Sequence, residues 1–289
     1  MNKNFKKYSL LIIFLLLITI DIFLITLDAK HSRGVLTFAM LDVGQGDALF
    51  IESPSGTQIL FDGGPARKVL GPLTKIMSPF DRTIDAIVIT NPDADHVGGF
   101  ADILKNYKVS YVFEPGTQNS SKTFQNLKTE ITNQKIPKIL ARKGMRINMG
   151  GGTVIDILFP DRDVSSWSTN DGSIVAHISY GITTIMLTGD ATSKTEKIVL
   201  VGNTPEKIKS KILKVGHHGS RSSTSRAFAS AVAPQYTLIS SGEDNNYGHP
   251  HAEVLETLNN ISAQVFRTDL LGTILIKSNG KTESFRFIK

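Results

Sequence analysis

The sequence predicts an α/β fold, a layered body preceded by one transmembrane helix. Three observations carry that expectation. An apolar run follows a lysine-rich start, short apolar strands joined by tight turns come next, and strands then alternate with segments of helical apolar spacing. No long Pro/Ser-rich linker interrupts residues 34–289, so they read as one domain, and 289 residues suffice for a sizeable core.

Lys3, Lys6 and Lys7 precede Leu10 to Leu27, a run broken only by Thr19, Asp21 and Thr26. About 20 apolar residues span a bilayer, and basic residues stay on its cytoplasmic side. Residues 1–9 are therefore expected to be a cytoplasmic tail, 10–27 the anchor and 28–289 an extracytoplasmic domain. A cleaved signal peptide is the competing reading. It fits less well, because Leu27-Asp28-Ala29 meets the small-x-small pattern of a cleavage site poorly and the apolar core exceeds the about 7–15 residues of a signal.

Charge narrows the function classes. The whole chain carries +6, but removing residues 1–33 takes away five of 32 cations and two of 26 acids and leaves +3. That is too mild to argue nucleic-acid binding from charge alone. Lys207, Lys209, Lys211 and Lys214 read as a solvated face, and Arg142-Lys143-Arg146 is a second local patch. The chain has no cysteine, which excludes disulfides, thiolate metal sites and cysteine nucleophiles.

Short apolar runs bounded by turn residues place strands at Val35–Asp42, Ala48–Ser53 and Gln58–Asp62, with Ser53-Pro54-Ser55-Gly56 closing a hairpin. A helix at Val69–Pro79 leads to a strand at Ile84–Thr90, which Asn91-Pro92 ends because proline cannot continue a ladder. Helix Phe100–Tyr107, strand Ser110–Glu114 and helix Ser121–Asn133 follow. Strands Thr153–Phe159, Ser173–Ser179 and Thr183–Thr188 come next, the last two joined at Tyr180-Gly181. Helix Thr192–Gly202 and strand Lys211–Val215 lead to helix Ser225–Val232, strand Tyr236–Ser240, helix His251–Asn259 and strand Thr273–Lys277.

Chemistry-bearing residues cluster after the strands. Asp93-Ala94-Asp95-His96-Val97-Gly98-Gly99 packs three potential metal ligands into four positions on a loop at a strand's C-terminal end. A solvated polar turn has the same composition. Gly216-His217-His218-Gly219-Ser220 and Tyr247-Gly248-His249-Pro250-His251 also follow strands, so that five of the seven histidines lie in these three loops. Ligands collect beyond the carboxyl ends of strands in α/β sheets. Gln58 to Gly64 and Thr184 to Asp190 echo one another, each closing a hairpin and ending in Asp beside Gly, a pattern that chance also produces. Asp93, Asp95, His96, Asp190 and His217 together suit Zn²⁺ or Mn²⁺.

Six ordered motifs then resemble a known family. Leu41-Asp42-Val43-Gly44-Gln45-Gly46-Asp47-Ala48, Ile59 to Gly64, Asn91 to Gly99, Leu187-Thr188-Gly189-Asp190, Leu213 to Ser220 and Tyr247 to His251 resemble those of ComEC-type metallo-β-lactamase-fold hydrolases. The resemblance spans about residues 34–287. It implies an αββα sandwich with a one- or two-metal site at the shared edge. It also implies phosphodiester hydrolysis, of DNA in competence proteins or of phosphocholine esters in some cell-surface relatives.

Carried over position by position, the resemblance makes Asp95, His96, Asp190 and His217 one metal site, with Asp190 bridging and Asp93 serving a second ion. Asn91 stands as a metal residue of that second site but departs from the family, which usually has His there, since an amide oxygen is a weaker, uncharged donor; the remaining position, near Asn170 to Ser173, again offers an amide or Asp171. His177 lies within a strand and reads as structural. Asp95, His218 and His249 are the expected catalytic residues; His218, His249 and Ser220 would bind phosphate oxygens or protonate the leaving group. Asp47 and Asp62 would orient ligand histidines, with Asn170 beside them; capping of its loop is the other reading for Asp47.

The resulting expectation is an anchored, extracytoplasmic metal-dependent phosphodiesterase or nuclease using one or two Zn²⁺ or Mn²⁺ ions. Its alternatives are a surface phosphocholine or wall-polymer esterase, and a non-catalytic binding protein with a decayed metal site. DNA is the expected substrate partner of the first. Uptake would need a separate channel protein.

Overall fold

The computed structural model describes residues 8–9, 11–21 and 34–289. Residues 8–9 and 11–21 are helical. Among the described residues no helix is long and apolar enough to cross a membrane. Residues 10 and 22–27 of the expected anchor lie outside the described residues.

The domain opens with β1 (Leu36–Met40), β2 (Leu49–Glu52), β3 (Gln58–Phe61), β4 (Thr83–Val88), β5 (Lys108–Glu114) and β6 (Lys138–Leu140). A second series follows: β7 (Arg146–Gly150), β8 (Thr153–Phe159), β9 (Val175–Tyr180), β10 (Thr183–Leu187), β11 (Ile212–Lys214), β12 (Tyr236–Ile239) and β13 (Gln264–Arg267). β14 (Thr273–Ser278) and β15 (Glu283–Ile288) then return to the first sheet, whose order is β15-β14-β1-β2-β3-β4-β5-β6, facing β13-β12-β11-β10-β9-β8-β7. The helices are α1 (Leu70–Thr74), α2 (Ala94–Val97), α3 (Phe100–Asn106), α4 (Lys122–Asn133), α5 (Ser193–Gly202), α6 (Pro205–Ile208), α7 (Arg226–Val232), α8 (Ala252–Asn260) and α9 (Thr268–Leu271).

Strand alternation builds four layers from this list. Ile59 and Phe61 of β3 meet Ile185 and Leu187 of β10 in a core between the sheets, while the intervening Leu60 turns outward onto Phe100 of α3 and Phe124 of α4. Met186 turns outward in the same way, onto Val199 of α5 and Phe228 of α7. Each such side chain contributes about 1.5–3 kcal/mol of burial. The result is an αββα sandwich.

The four strands that the sequence does not announce, β6, β7, β13 and β15, are the four sheet edges. Edge strands face solvent on one side, so their sequences lack the buried apolar run that marks β4 or β10. The helix expected at Val69–Pro79 is cut to Leu70–Thr74, a span that already carries Gly71 and Pro72.

One topological feature positions the site. β3 is antiparallel to β2 but parallel to β4, and β10 is antiparallel to β9 but parallel to β11. The C-terminal ends of β3 and β4 in one sheet and β10 to β12 in the other therefore deliver their loops to one shared edge.

Candidate metal centre

The Asp93 segment is a single helical turn rather than a loop. Asp93 is extended (φ −73°, ψ 155°) and Ala94–Val97 wind into α2, which buries His96 and leaves Asp95 at the mouth. The turn is seated by close backbone packing: a methyl on Gly99 would collide with the Gly63 carbonyl, and one on Gly46 with the Asp95 carbonyl.

His96 joins the two halves of the fold. Its Nδ1 lies 2.9 Å from Asp62 Oδ2 after β3, and its Nε2 lies 3.0 Å from Asp190 Oδ2 after β10. The two echoed Asp-Gly strand ends thus supply the carboxylates at either side of one imidazole. Asp62 holds a positive φ of 55° and also accepts from Thr90 N (2.8 Å) and Thr90 Oγ1 (2.5 Å). Such strained backbone is retained where a site needs it.

Of the two adjacent histidines, His218 lies within the carboxylate cluster and His217 beside it. Among the described residues, Asp95, His96, Asp190 and His218 each offer a ligand atom within 4.8 Å of the others, and Asp47, Asp62 and His96 form a second such group. His218 Nδ1–H donates to Ser240 O (2.9 Å), which turns Nε2 toward Asp95 Oδ2 (3.4 Å) and Asp190 Oδ1 (3.6 Å). His217, the expected fourth ligand, stands beside them with Nε2 3.7 Å from Asp190 Oδ2 and Nδ1 at 3.1 Å from Ser222. Both histidines have positive φ, and this kink decides which ring points inward. No spacing rule separates two adjacent histidines on a kinked turn. Ser220, expected at phosphate, hydrogen-bonds Ser222 (3.0 Å) and braces that turn.

Sequence reasoning misplaced Lys214. It belongs to no solvated face: it is fully buried, donates to Gly189 O (2.8 Å) and forms an ion pair with Asp47. The alternation of β11 carries the signal, since Ile212 faces the inter-sheet core and Lys214, two residues on, shares its side. Asp47 in turn lies 3.5 Å from His218 Nδ1 and 3.9 Å from His96 Nδ1, behind both rings.

The position expected to hold a second ion is internally satisfied. Asn91 Nδ2 donates to Asn170 Oδ1 (2.7 Å), and Asn91 Oδ1 accepts from Asp93 N (2.9 Å). Both Asp93 carboxylate oxygens are engaged, by Asn119 Nδ2 (2.7 Å) and Thr169 Oγ1 (2.8 Å). Asp171 pairs with Lys194 (3.0 Å) and Thr192, and His177 lies in β9, outside the cluster.

With this geometry, comparison with known proteins decides the family. The Metallo-beta-lactamase superfamily matches residues 41–243. The chain belongs to it. Most members of the superfamily are metal-dependent hydrolases. The chain is 30% identical over 271 residues to ComE operon protein 3 of Bacillus subtilis, covering 85% of this chain and 33% of that protein. It is also 30% identical over 258 residues to Recombination protein 2 of Haemophilus influenzae, covering 88% and 30%. The chain thus spans about a third of the length of the curated relatives it matches. Among solved structures it resembles YhfI from Bacillus subtilis (TM-score 0.52, 15% identity, covering 80% of this chain and 96% of that one). It also resembles CmlA, a diiron beta-hydroxylase from Streptomyces venezuelae (TM-score 0.53, 12% identity, covering 88% and 54%). At these identities the likeness is one of fold, and a hydroxylase on the same scaffold means that the reaction must be argued from the site.

The cluster fits the family's metal. His96 Nε2, His218 Nε2 and Asp190 Oδ1 are buried without a well-aligned hydrogen-bond partner, an arrangement that is costly unless a cation answers it. One carboxylate from each sheet, two imidazoles and no thiolate suit a borderline or hard divalent ion. Without an ion the buried charges answer one another. Burial works against the charged form of Asp190, but His96, His218 and Lys214 together hold its pKa well below the usual carboxylate range. Burial likewise opposes the His96 imidazolium, yet Asp190 and Asp62 outweigh it and raise its pKa well above the ordinary value. Burial raises the Asp62 carboxyl against the opposing charge of His96.

Asp62, 2.9 Å from Nδ1, would hold a metal-bound His96 as its Nδ1–H tautomer and leave Nε2 to the ion. Replacing Asp62 by asparagine is expected to weaken Mn²⁺ binding by about 10–100-fold, the usual cost of losing such an orienting carboxylate. Calorimetric titration of the folded variant measures this, and an unchanged affinity would show that His96 is oriented without it.

Proposed function

We propose that the chain is a metal-dependent phosphodiesterase of nuclease type, with one Zn²⁺ or Mn²⁺ held by Asp95, His96, Asp190 and His218. The convergence of these four groups from both halves of the fold, with three buried polar atoms left facing each other, carries the proposal. Bound there, the ion would supply Lewis acidity and make a water molecule acidic enough to serve as nucleophile near neutral pH. The competence-related names of the relatives, which include a Competence protein ComA from Neisseria gonorrhoeae, support DNA as substrate.

The surrounding residues orient and bind. Asp62 and Ser240 O set the two ligand imidazoles, and Asp47 with Lys214 fills the space behind them. Gln45 Nε2 approaches His249 Nδ1 (3.4 Å), so the ring's Nε2–H is left to donate to a phosphoryl oxygen. Burial, reinforced by His218, His217 and His251, pushes the His249 pKa down to about 4. That shift favours the neutral ring, which suits the expected role of binding phosphate.

The mutually bonded Asn91 and Asn170 favour one ion over two. A surface phosphocholine esterase shares the same chemistry, and a non-catalytic protein would share only the scaffold. Membrane anchoring and an extracytoplasmic domain rest on Lys3, Lys6 and Lys7 before the apolar run, and protease digestion of intact cells tests that topology. Activity is tested on the full chain with bis(p-nitrophenyl) phosphate. Turnover is expected with Mn²⁺ or Zn²⁺, lost in chelator and restored on adding metal; metal-loaded protein without turnover would support the non-catalytic alternative.

A further inference from the structure

The loop from Gly242 to His249 carries an exposed aromatic ring on a rigid backing. Tyr247 is 66% exposed, and its ring stacks on His249 with centroids 5.6 Å apart and planes 21° apart. His249 stacks in turn on His218, at 6.3 Å and 29°. The rings form a short column ending two spacings from a candidate metal ligand. One side chain holds the loop in shape: Asn245 Oδ1 accepts from Tyr247 N (3.2 Å) and His249 N (3.0 Å), and its Nδ2 donates to Gly242 O (2.9 Å) and His249 O (2.6 Å). Gln45, arriving from the β1–β2 loop, accepts from Gly242 N (3.2 Å) and reaches His249.

We propose that Tyr247 is a stacking platform for an unpaired nucleobase flanking the scissile phosphate, so that the site acts on single-stranded nucleic acid. This rests on the phosphodiesterase reading above. A tyrosine whose inner face is packed and whose outer face is open offers a flat, preordered surface, and base stacking on such a ring tolerates any sequence. A quaternary ammonium group is the other class of ligand that favours aromatic faces, but it is held by several rings forming a cage. Here His249 covers one face of Tyr247 and a single flat face remains. A cavity of about 450 Å³ opens beyond His249, lined by Glu243, Asp244 and the Arg267–Asp269 pair, whose carboxylates can accept from the amino edge of a base.

The test uses the full Mn²⁺-loaded chain and a single-stranded oligonucleotide bearing 2-aminopurine, whose fluorescence falls on stacking, beside an abasic strand of equal length. The native protein is expected to quench the probe and to bind the base-bearing strand about tenfold more tightly than the abasic one. Tyr247→Ala loses both the quenching and the preference, and Tyr247→Trp keeps them. Equal affinity of the native protein for the two strands, or a preference that survives in Tyr247→Ala, would overturn the platform. So would Tyr247→Ala weakening choline phosphate in place of the strand. Turnover of bis(p-nitrophenyl) phosphate reports separately on the enzyme reading: turnover without base preference removes the platform alone, and base preference without turnover removes catalysis alone.

Discussion

Replacing His96 by alanine is expected to abolish the proposed hydrolysis of bis(p-nitrophenyl) phosphate, with kcat/KM falling at least about a thousandfold. The size follows from its place. His96 touches Asp62 from one sheet and Asp190 from the other, and its Nε2 is buried among the carboxylates of the cluster without a well-aligned hydrogen bond. Alanine removes a proposed ligand, the link between the halves and a partner that favours the ionised form of Asp190. Loss of activity by misfolding is separated by thermal unfolding of the variant. His177→Ala, whose ring lies in β9 outside the cluster, keeps its turnover. Retained turnover in folded His96→Ala would contradict the site.

Replacing Lys214 by methionine is expected to destabilise the fold by about 3–5 kcal/mol, because it leaves the Asp47 carboxylate buried without its cation. Removing both charges, as Lys214→Met with Asp47→Asn, is expected to recover a large part of that loss, since a lone buried charge costs more than an absent pair. Urea unfolding of the native chain, the single variants and the double variant measures the coupling. Strictly additive losses would show that the two groups do not act as a pair. Asp47 stands behind both ligand rings, so the same variant is expected to weaken metal binding as well.

These expectations were legible in the sequence to unequal degrees. Strands buried on both faces, such as β4 and β10, announce themselves, while the four edge strands do not, because solvent removes the apolar pattern that reveals them. Asp95, His96 and Asp190 could be read from their positions after strands. The order of His217 and His218 could not, since a backbone kink of two positive-φ residues decides which ring enters the site. Lys214 was hidden by its neighbours: Lys207 and Lys211 reach Asp156 and Glu283 near the surface, and only strand alternation separates Lys214 from them. Asn91 was legible as a departure, but its hydrogen bond to Asn170 depends on two segments 79 residues apart.

The central claim is a single metal centre built by Asp95, His96, Asp190 and His218. Metal content per folded chain, measured after equilibration with excess Mn²⁺ or Zn²⁺ and removal of loosely held ions, tests it most directly. The expected result is one ion per chain, lost in His96→Ala. Two ions per chain, none, or one ion retained by His96→Ala would contradict it.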